Sequence, residues 1–323
     1  MTGWVPVTAN RMDQVRTRHK AAPVASAEAI AELIAVIVAV TGGEPRVLTI
    51  DDGSALPSGP FELTHRSLQA GTRSWVEQQT HHALGYVEQL YTFADRDRTA
   101  AGQRTVSVSY LGLTREMRAS GEPGVLWQSW YRYFPWEDRR DDAAAALTAA
   151  IDGRLRAWAD GAEDPATRRA RLGRVGITFG HDGRTWNEEL VVQRYELMWE
   201  AGLVAESPQV EAPVDSEPMT HDHRRILATG IARLRAKIKY RPVVFELMPP
   251  RFTLLQLQRT VEALAGRRLH KQNFRRLIEQ QDLVEETGER ATETGGRPAK
   301  LFRFRRDVVD ERAVSGSKLP LAR

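Results

Sequence analysis

The segment from Thr253 to Phe304 constrains this chain more than any other. Thr253-Leu-Leu-Gln256 is a capping box, in which the Thr hydroxyl accepts from the Gln backbone N–H and the Gln side chain reaches back to the Thr N–H. The helix it opens puts Leu254, Leu257, Val261 and Leu264 on one face, and Gly266 supplies the left-handed residue that ends it. A second helix is expected from near His270, with Phe274, Leu277 and Ile278 as its apolar face. Two helices joined by so short a turn match a helix-turn-helix. Behind them Leu283-Val284 reads as one strand and Leu301, Phe302 and Phe304 as another. The loop between carries Gly288, Gly295, Gly296, Arg297 and Lys300, which fits a wing.

The second helix turns Gln272, Arg275, Arg276 and Glu279 away from its apolar face, with Asn273 on the flank. Arg can grip guanine O6 and N7 with two bonds, and Asn or Gln can do the same at adenine. Arg276 and Gln272, opposite the core face, are therefore expected at base edges. Lys271, Arg275, Arg297 and Lys300 are expected along the phosphates. Charge agrees: residues 221–323 hold 23 Lys and Arg against 12 Asp and Glu, a net +11, leaving −7 on the rest of a +4 chain. A basic module on a body of opposite sign points to a polyanion. The competing reading is a winged helix used for protein contact.

Ahead of this module, residues 1–21 read as a basic arm. Ala35 to Val40 and Arg46 to Ile50 are apolar runs around Gly42-Gly43, a hairpin signal. Leu68, Thr72, Trp75, Val76 and Gln79 recur at helical spacing, so Ser67 to Thr80 should be a helix. Tyr86 to Phe93 and Val106 to Leu113 read as strands, joined through Asp95 to Arg104. Cysteine is absent from the chain, which removes disulfides, thiolate metal sites and cysteine nucleophiles. No apolar run approaches the ~20 residues of a membrane span, and no signal peptide is recognisable, so a cytoplasmic protein without membrane contact is expected.

Between these parts Trp127, Trp130, Tyr131, Tyr133, Phe134 and Trp136 crowd together, reading as aromatic core or subunit contact rather than a stacking site for ligand. Helices are expected from about Asp142 to Ala159 and Asn187 to Ala201, and Ser207 to Met219 reads as a linker. Asp222 can cap a helix with Leu227, Ile231, Leu234 and Ile238 on one face. The pairs His81-His82 and His221/His223 lack a third convergent ligand, and read as surface or capping residues rather than a metal site.

The hairpin, the loop Leu56-Pro-Ser-Gly59 and the helix with Arg73 and Glu77 resemble a Nudix domain. Counted from Gly59, the Nudix box keeps Arg73, an apolar Trp75 and Glu77. It has His65, Ser74 and Gln78 where carboxylates are expected, and Thr80 in place of glycine. Glu62 could supply a ligand from the loop, but one helix carboxylate is too little to hold the divalent metal of hydrolysis. A Nudix-like domain followed by a winged helix resembles the NrtR family, Nudix-related transcriptional regulators of NAD metabolism. Glu88 to Phe93, Val106 to Leu111, Asp222 to Leu227, Phe252 to Gln258, Asn273 to Arg276 and Gly296 to Ala299 carry the likeness.

The resemblance covers about residues 30–115 and 221–306. It implies an α+β fold with a Nudix-like α/β/α sandwich at 22–117 and a winged helix-turn-helix at 221–323. The aromatic-rich helical extension and linker at 118–220 is longer than the family would have and is read from its residues alone. The resemblance also implies a homodimeric repressor on a palindromic double-stranded operator. ADP-ribose or a related NAD metabolite would be the effector, with no cofactor required. Within the pocket so implied, Arg73 would meet the diphosphate, Glu77 would be a polar contact, and Arg46 and Phe93 would complete the set. Arg73 and Glu77 equally fit an ordinary i, i+4 surface pair. The alternative function is a Nudix hydrolase of ADP-ribose-like nucleoside diphosphates with an attached basic domain.

Overall fold

A computed structural model describes residues 29–94, 104–116, 122–210, 212–240, 243–291 and 298–305. The expected basic arm, most of the Asp95–Arg104 loop and Arg297 lie outside the described residues. The hairpin forms as expected. Strand β1 (Ala29–Thr41) pairs antiparallel with β2 (Glu44–Thr49), and Gly42 and Gly43, at φ +64° and +81°, make the two-residue turn. Strands β4 (Tyr86–Phe93) and β5 (Arg104–Leu113) pair antiparallel, and β5 lies parallel to β1 from Ala29↔Arg104 to Val38↔Leu113. With β3 (Ser58–Pro60) along the first half of β1 and β6 (Leu126–Ser129) beside β2, the sheet order is β4-β5-β1-β2-β6.

The central strand is buried on both faces, which is why Leu33 to Ala39 is continuously apolar instead of alternating. Leu33, Ala35 and Ile37 face helix α1 (Leu68–Thr80). Ile34, Val36 and Val38 join the core under helix α5 (His223–Tyr240), where Ile226, Leu227, Ile231 and Leu234 have no exposure. A Cβ on Gly230 would lie 2.8 Å from Val36 Cγ1, so glycine lets α5 settle onto the sheet. The result is an α/β/α sandwich.

Helix α1 is capped by Ser67, whose hydroxyl accepts from Ala70 N at 3.1 Å. Gln79 both accepts from Ser58 N and donates to Ser58 O, fastening the helix to β3. Gly59 is sterically obligatory: a Cβ there would lie 2.3 Å from the Trp75 indole, whose Nε1 donates to Pro60 O. We expect Gly59→Ala to destabilise the chain by about 1–3 kcal/mol through overpacking. An unchanged urea midpoint would show that Trp75 can swing aside.

The middle of the chain is more ordered than expected. Trp130, Tyr133, Phe134 and Trp136 are fully buried in the same core as α5. Helices α2 (Ala143–Asp160), α3 (Pro165–Phe179) and α4 (Val191–Glu200) pack around them. Helix α3 escaped the sequence reading because Arg168, Arg169, Arg171 and Arg174 break its apolar spacing. Its signal is the Asp164 cap, which accepts from Ala166 N and Thr167 N ahead of Pro165. Ser207 to Met219 has no regular structure in its described residues but docks on the body. Val214 and Met219 are buried, Val214 N donates to Leu203 O, and Glu217 pairs with Arg132 at 2.8 Å.

In the C-terminal part, helix α6 (Leu254–Ala265) has both capping-box bonds and a left-handed Gly266 at φ +69°. Helix α7 (Lys271–Gln280) follows, and strands β7 (Val284–Ala291) and β8 (Ala299–Phe304) form the hairpin. Phe252 and Phe302 exchange backbone hydrogen bonds, fixing the hairpin beside the start of α6. Strand β7 is longer than expected. Gly288, assigned to the loop, sits in the strand at φ +81° where the register shifts between Glu286 and Arg290.

Candidate DNA-reading face and ligand cavity

Helix α7 buries only two side chains, Phe274 and Ile278, one turn apart. Lys271, Gln272, Asn273, Arg275 and Arg276 are all exposed, as their spacing predicts. Leu277 is a correction: assigned to the apolar face, it is 50% exposed, because the ridge that meets α6 is only as wide as the i, i+4 pair. Arg276 falls opposite that ridge, with Gln272 beside it.

The wing is laced with ion pairs that the sequence did not disclose. Lys300 meets Glu286 at 2.7 Å, Arg303 meets Glu285 at 2.7 Å, and Arg251 pairs with Glu289 and Arg305 with Asp282. Exposed pairs of this kind contribute ~0–1 kcal/mol and exchange readily for another anion. Lys300 is thus a shared rather than an idle cation.

The four residues expected to bind the effector, Arg73, Glu77, Arg46 and Phe93, do not line one cavity. Arg73 turns its guanidinium to the loop after α1, donating to Gly85 O at 2.8 Å and to Leu84 O. Glu77 is exposed on α1. Arg46, on β2 opposite Ala39, donates to Trp127 O at 3.5 Å. Phe93 is buried at the other end of the sheet, opposite Ser107 and so level with Glu32. Seven residues of β1 separate those rows, or roughly 23 Å at strand rise. The box positions without carboxylates have partners of their own. Gln78 donates to Ser74 Oγ at 3.2 Å, while His65 accepts from Glu62 N at 3.0 Å and stacks on Phe61.

A cavity of about 210 Å³ opens instead where the first rows of β1 and β5 meet β3 and the start of α5. Glu32, Gly59, Ser107, His221 and His223 line it. Ser107 Oγ donates to Glu32 Oε2 at 2.8 Å, and His223 Nδ1 accepts from Leu56 N at 2.9 Å. Of these, Gly59 is marked in the sequence as the start of the Nudix box, and the two histidines only as a pair that reads as surface or capping residues. Glu32 and Ser107 come together through the parallel β1–β5 register, which no local pattern encodes. Among the described residues no group of three His, Asp or Glu side chains could hold a metal, and no helix is long and apolar enough to cross a membrane. His81 caps α1 in the left-handed region and meets Glu122 at 3.0 Å. His82, expected at the surface, is buried edge-on against Trp127, and burial lowers its pKa.

Residues 244–304 match the family described as the NrtR DNA-binding winged helix domain. Over 86 residues the chain is 41% identical to the "ADPR responsive transcriptional repressor NtrR" of Acinetobacter baylyi, a match covering 27% of this chain and 34% of that protein. The chain thus spans about a third of the length of that curated relative. The crystal structure of Shewanella oneidensis NrtR complexed with a 27mer DNA aligns at TM-score 0.54 and 20% identity, covering 87% of this chain and 95% of that one. A MutT/nudix family protein from Enterococcus faecalis aligns at TM-score 0.52 and 16% identity, over 86% of this chain and 87% of its own. The fold is therefore a Nudix-like α/β/α sandwich with a C-terminal winged helix, as the sequence implied.

Proposed function

We propose that this chain, whose C-terminal domain is an NrtR-type winged helix, is a transcriptional repressor that reads double-stranded DNA and is released by ADP-ribose or a related NAD metabolite. The exposed face of α7, with Arg275, Arg276, Gln272, Asn273 and Lys271 around a two-residue buried ridge, carries this reading. Arg is suited to guanine and the amides to adenine, while Lys271, Lys300 and Arg297 would follow the phosphates. The boundary expected at residue 220 moves past α5, whose start lines the effector cavity and whose body packs on the sheet: we place sensing before about residue 243 and DNA binding in the winged helix at 244–304. A pair of such modules on one duplex implies a homodimer and a palindromic operator.

For the effector we assign the cavity at the start of α5 in preference to Arg73. A carboxylate at Glu32 can accept from ribose hydroxyls, and the His221 imidazole can donate to a phosphate. The cavity is smaller than the ~300–1,000 Å³ of sites that engulf a ligand, so one end of an extended nucleotide would enter it. Arg73 is then a positioning residue for the loop at Leu84 and Gly85.

The chain is proposed to bind rather than hydrolyse its effector. Ser74 and Gln78 satisfy one another where hydrolysis would need carboxylates. ADP-ribose is expected to raise Tm and weaken binding to an enriched operator duplex, and Glu32→Ala to remove most of both effects. No Mg²⁺-dependent loss of ADP-ribose is expected in the same samples. Turnover of about 1 s⁻¹ or more would instead establish a hydrolase.

A further inference from the structure

Three ions lie in the apolar core beneath the helix-turn-helix. Glu137, Arg194 and Arg235 have no side-chain exposure. Arg194 forks onto the carboxylate through Nε and Nη2, and Arg235 Nη1 donates to the same Oε2. Their remaining donors reach separate segments. Arg194 Nη1 donates to Thr178 O and Asn187 O, both at 2.9 Å, while Arg235 donates to Leu264 O at 2.9 Å and Glu188 O at 3.1 Å. Burial pushes the Glu137 carboxyl up, and the two guanidiniums more than reverse that, holding it below the usual range.

The same short segment grips the turn that launches α7. Tyr131 donates to Ala263 O in the last turn of α6, and Arg139 N donates to Gly266 O at 2.7 Å. Arg268 Nε donates to Arg140 O at 3.1 Å. Gly266 lies so close that an added Cβ would be 2.2 Å from Glu137 O. Helix α7 itself buries only Phe274 and Ile278, too little packing to fix its angle.

We propose that residues 131–140, oriented by Glu137, are the positioning element of the DNA-reading helix, so that sequence discrimination depends on side chains that never touch DNA. The inference rests on the DNA-binding reading of α7. An apolar core could supply comparable stability, since a buried ionic cluster is often no more stable than a packed one. The triad supplies direction: its hydrogen bonds fix the end of α6, hence the origin of α7, where apolar contacts would allow sliding. Base-edge contacts need placement within ~0.5 Å.

The test compares the full wild-type chain with Glu137→Gln and Tyr131→Phe. The probes are a duplex enriched from a random pool by the wild type, and a scrambled duplex of equal length. The readouts are the ratio of the two Kd values and amide hydrogen exchange at 266–274 and in β1. Glu137→Gln should lower the ratio about tenfold or more, equivalent to losing one base-pair contact. It should also speed exchange at 266–274 by a larger factor than in β1, where the change reports only the global loss of stability, with scrambled-duplex affinity near wild type because the phosphate cations remain. Tyr131→Phe, which keeps the packing, should move ratio and exchange the same way by a smaller factor, and it decides the matter if Glu137→Gln does not fold. Unchanged ratio and exchange at 266–274 in the folded variants would overturn the proposal while leaving DNA binding intact. Acceleration of exchange by the same factor at 266–274 and in β1 would also overturn it, marking the segment as merely structural. A wild type that enriches no duplex would sink the DNA-binding reading itself, and the positioning role with it.

Discussion

Alanine at both Arg275 and Arg276 is expected to erase discrimination between the enriched and the scrambled duplex while leaving the thermal midpoint unchanged. Both side chains are exposed and off the Phe274/Ile278 ridge, so their removal leaves no cavity and no buried partner. Arg276 alone, opposite the ridge, should cost about 1–3 kcal/mol and relax preference at one base pair. Lys300→Ala should act differently, weakening both duplexes alike and lowering the salt slope by about one contact. Its ion pair with Glu286 makes that loss smaller than for an unengaged cation, because DNA must first displace the carboxylate. Titrations across salt concentration separate the two patterns. Half-sites about one helical turn apart are expected in the enriched duplex. Discrimination that survives the double substitution would mean that α7 does not face DNA.

Local chemistry explains which parts of this molecule could be read from its residues. The Thr253–Gln256 box, the Ser67 cap, the left-handed Gly266 and the Gly42-Gly43 turn each depend on neighbours within four positions, and each forms as the spacing dictates. The two-residue ridge of α7 was read too wide by Leu277, because periodicity reports what could be buried and not how closely α6 approaches. The cavity was invisible for another reason. Glu32 and Ser107 are neighbours only through a parallel register spanning most of the sandwich, and Gly59 is needed only because Trp75 returns over it. The triad is the extreme case, since its three ions come from separate segments and each looks in sequence like a solvated charge.

Those three ions should also dominate the stability of the chain, and unequally. Glu137→Ala leaves two guanidiniums buried against one another with no anion between them, whereas Arg194→Met leaves a neutral Glu137–Arg235 pair. Breaking such a cluster by removing its only counter-ion costs ~3–5 kcal/mol, a large part of the ~5–15 kcal/mol that holds a domain together. Arg194→Met should cost less, although it orphans the carbonyls of Thr178 and Asn187. The acid limb of stability should follow the same carboxylate. Because the folded pKa of Glu137 lies below its unfolded value, its contribution is complete above the ordinary glutamate pKa of about 4.3 and is lost as pH falls from there through the folded value. Urea midpoints of wild type, Glu137→Ala and Arg194→Met between neutral and acid pH test both statements. Arg194→Met should fall between the other two at neutral pH and still show the acid limb, since it keeps the carboxylate and one guanidinium. Equal losses in the two variants, or an acid limb that persists unchanged without Glu137, would mean that the cluster is held by its packing and not by its charges.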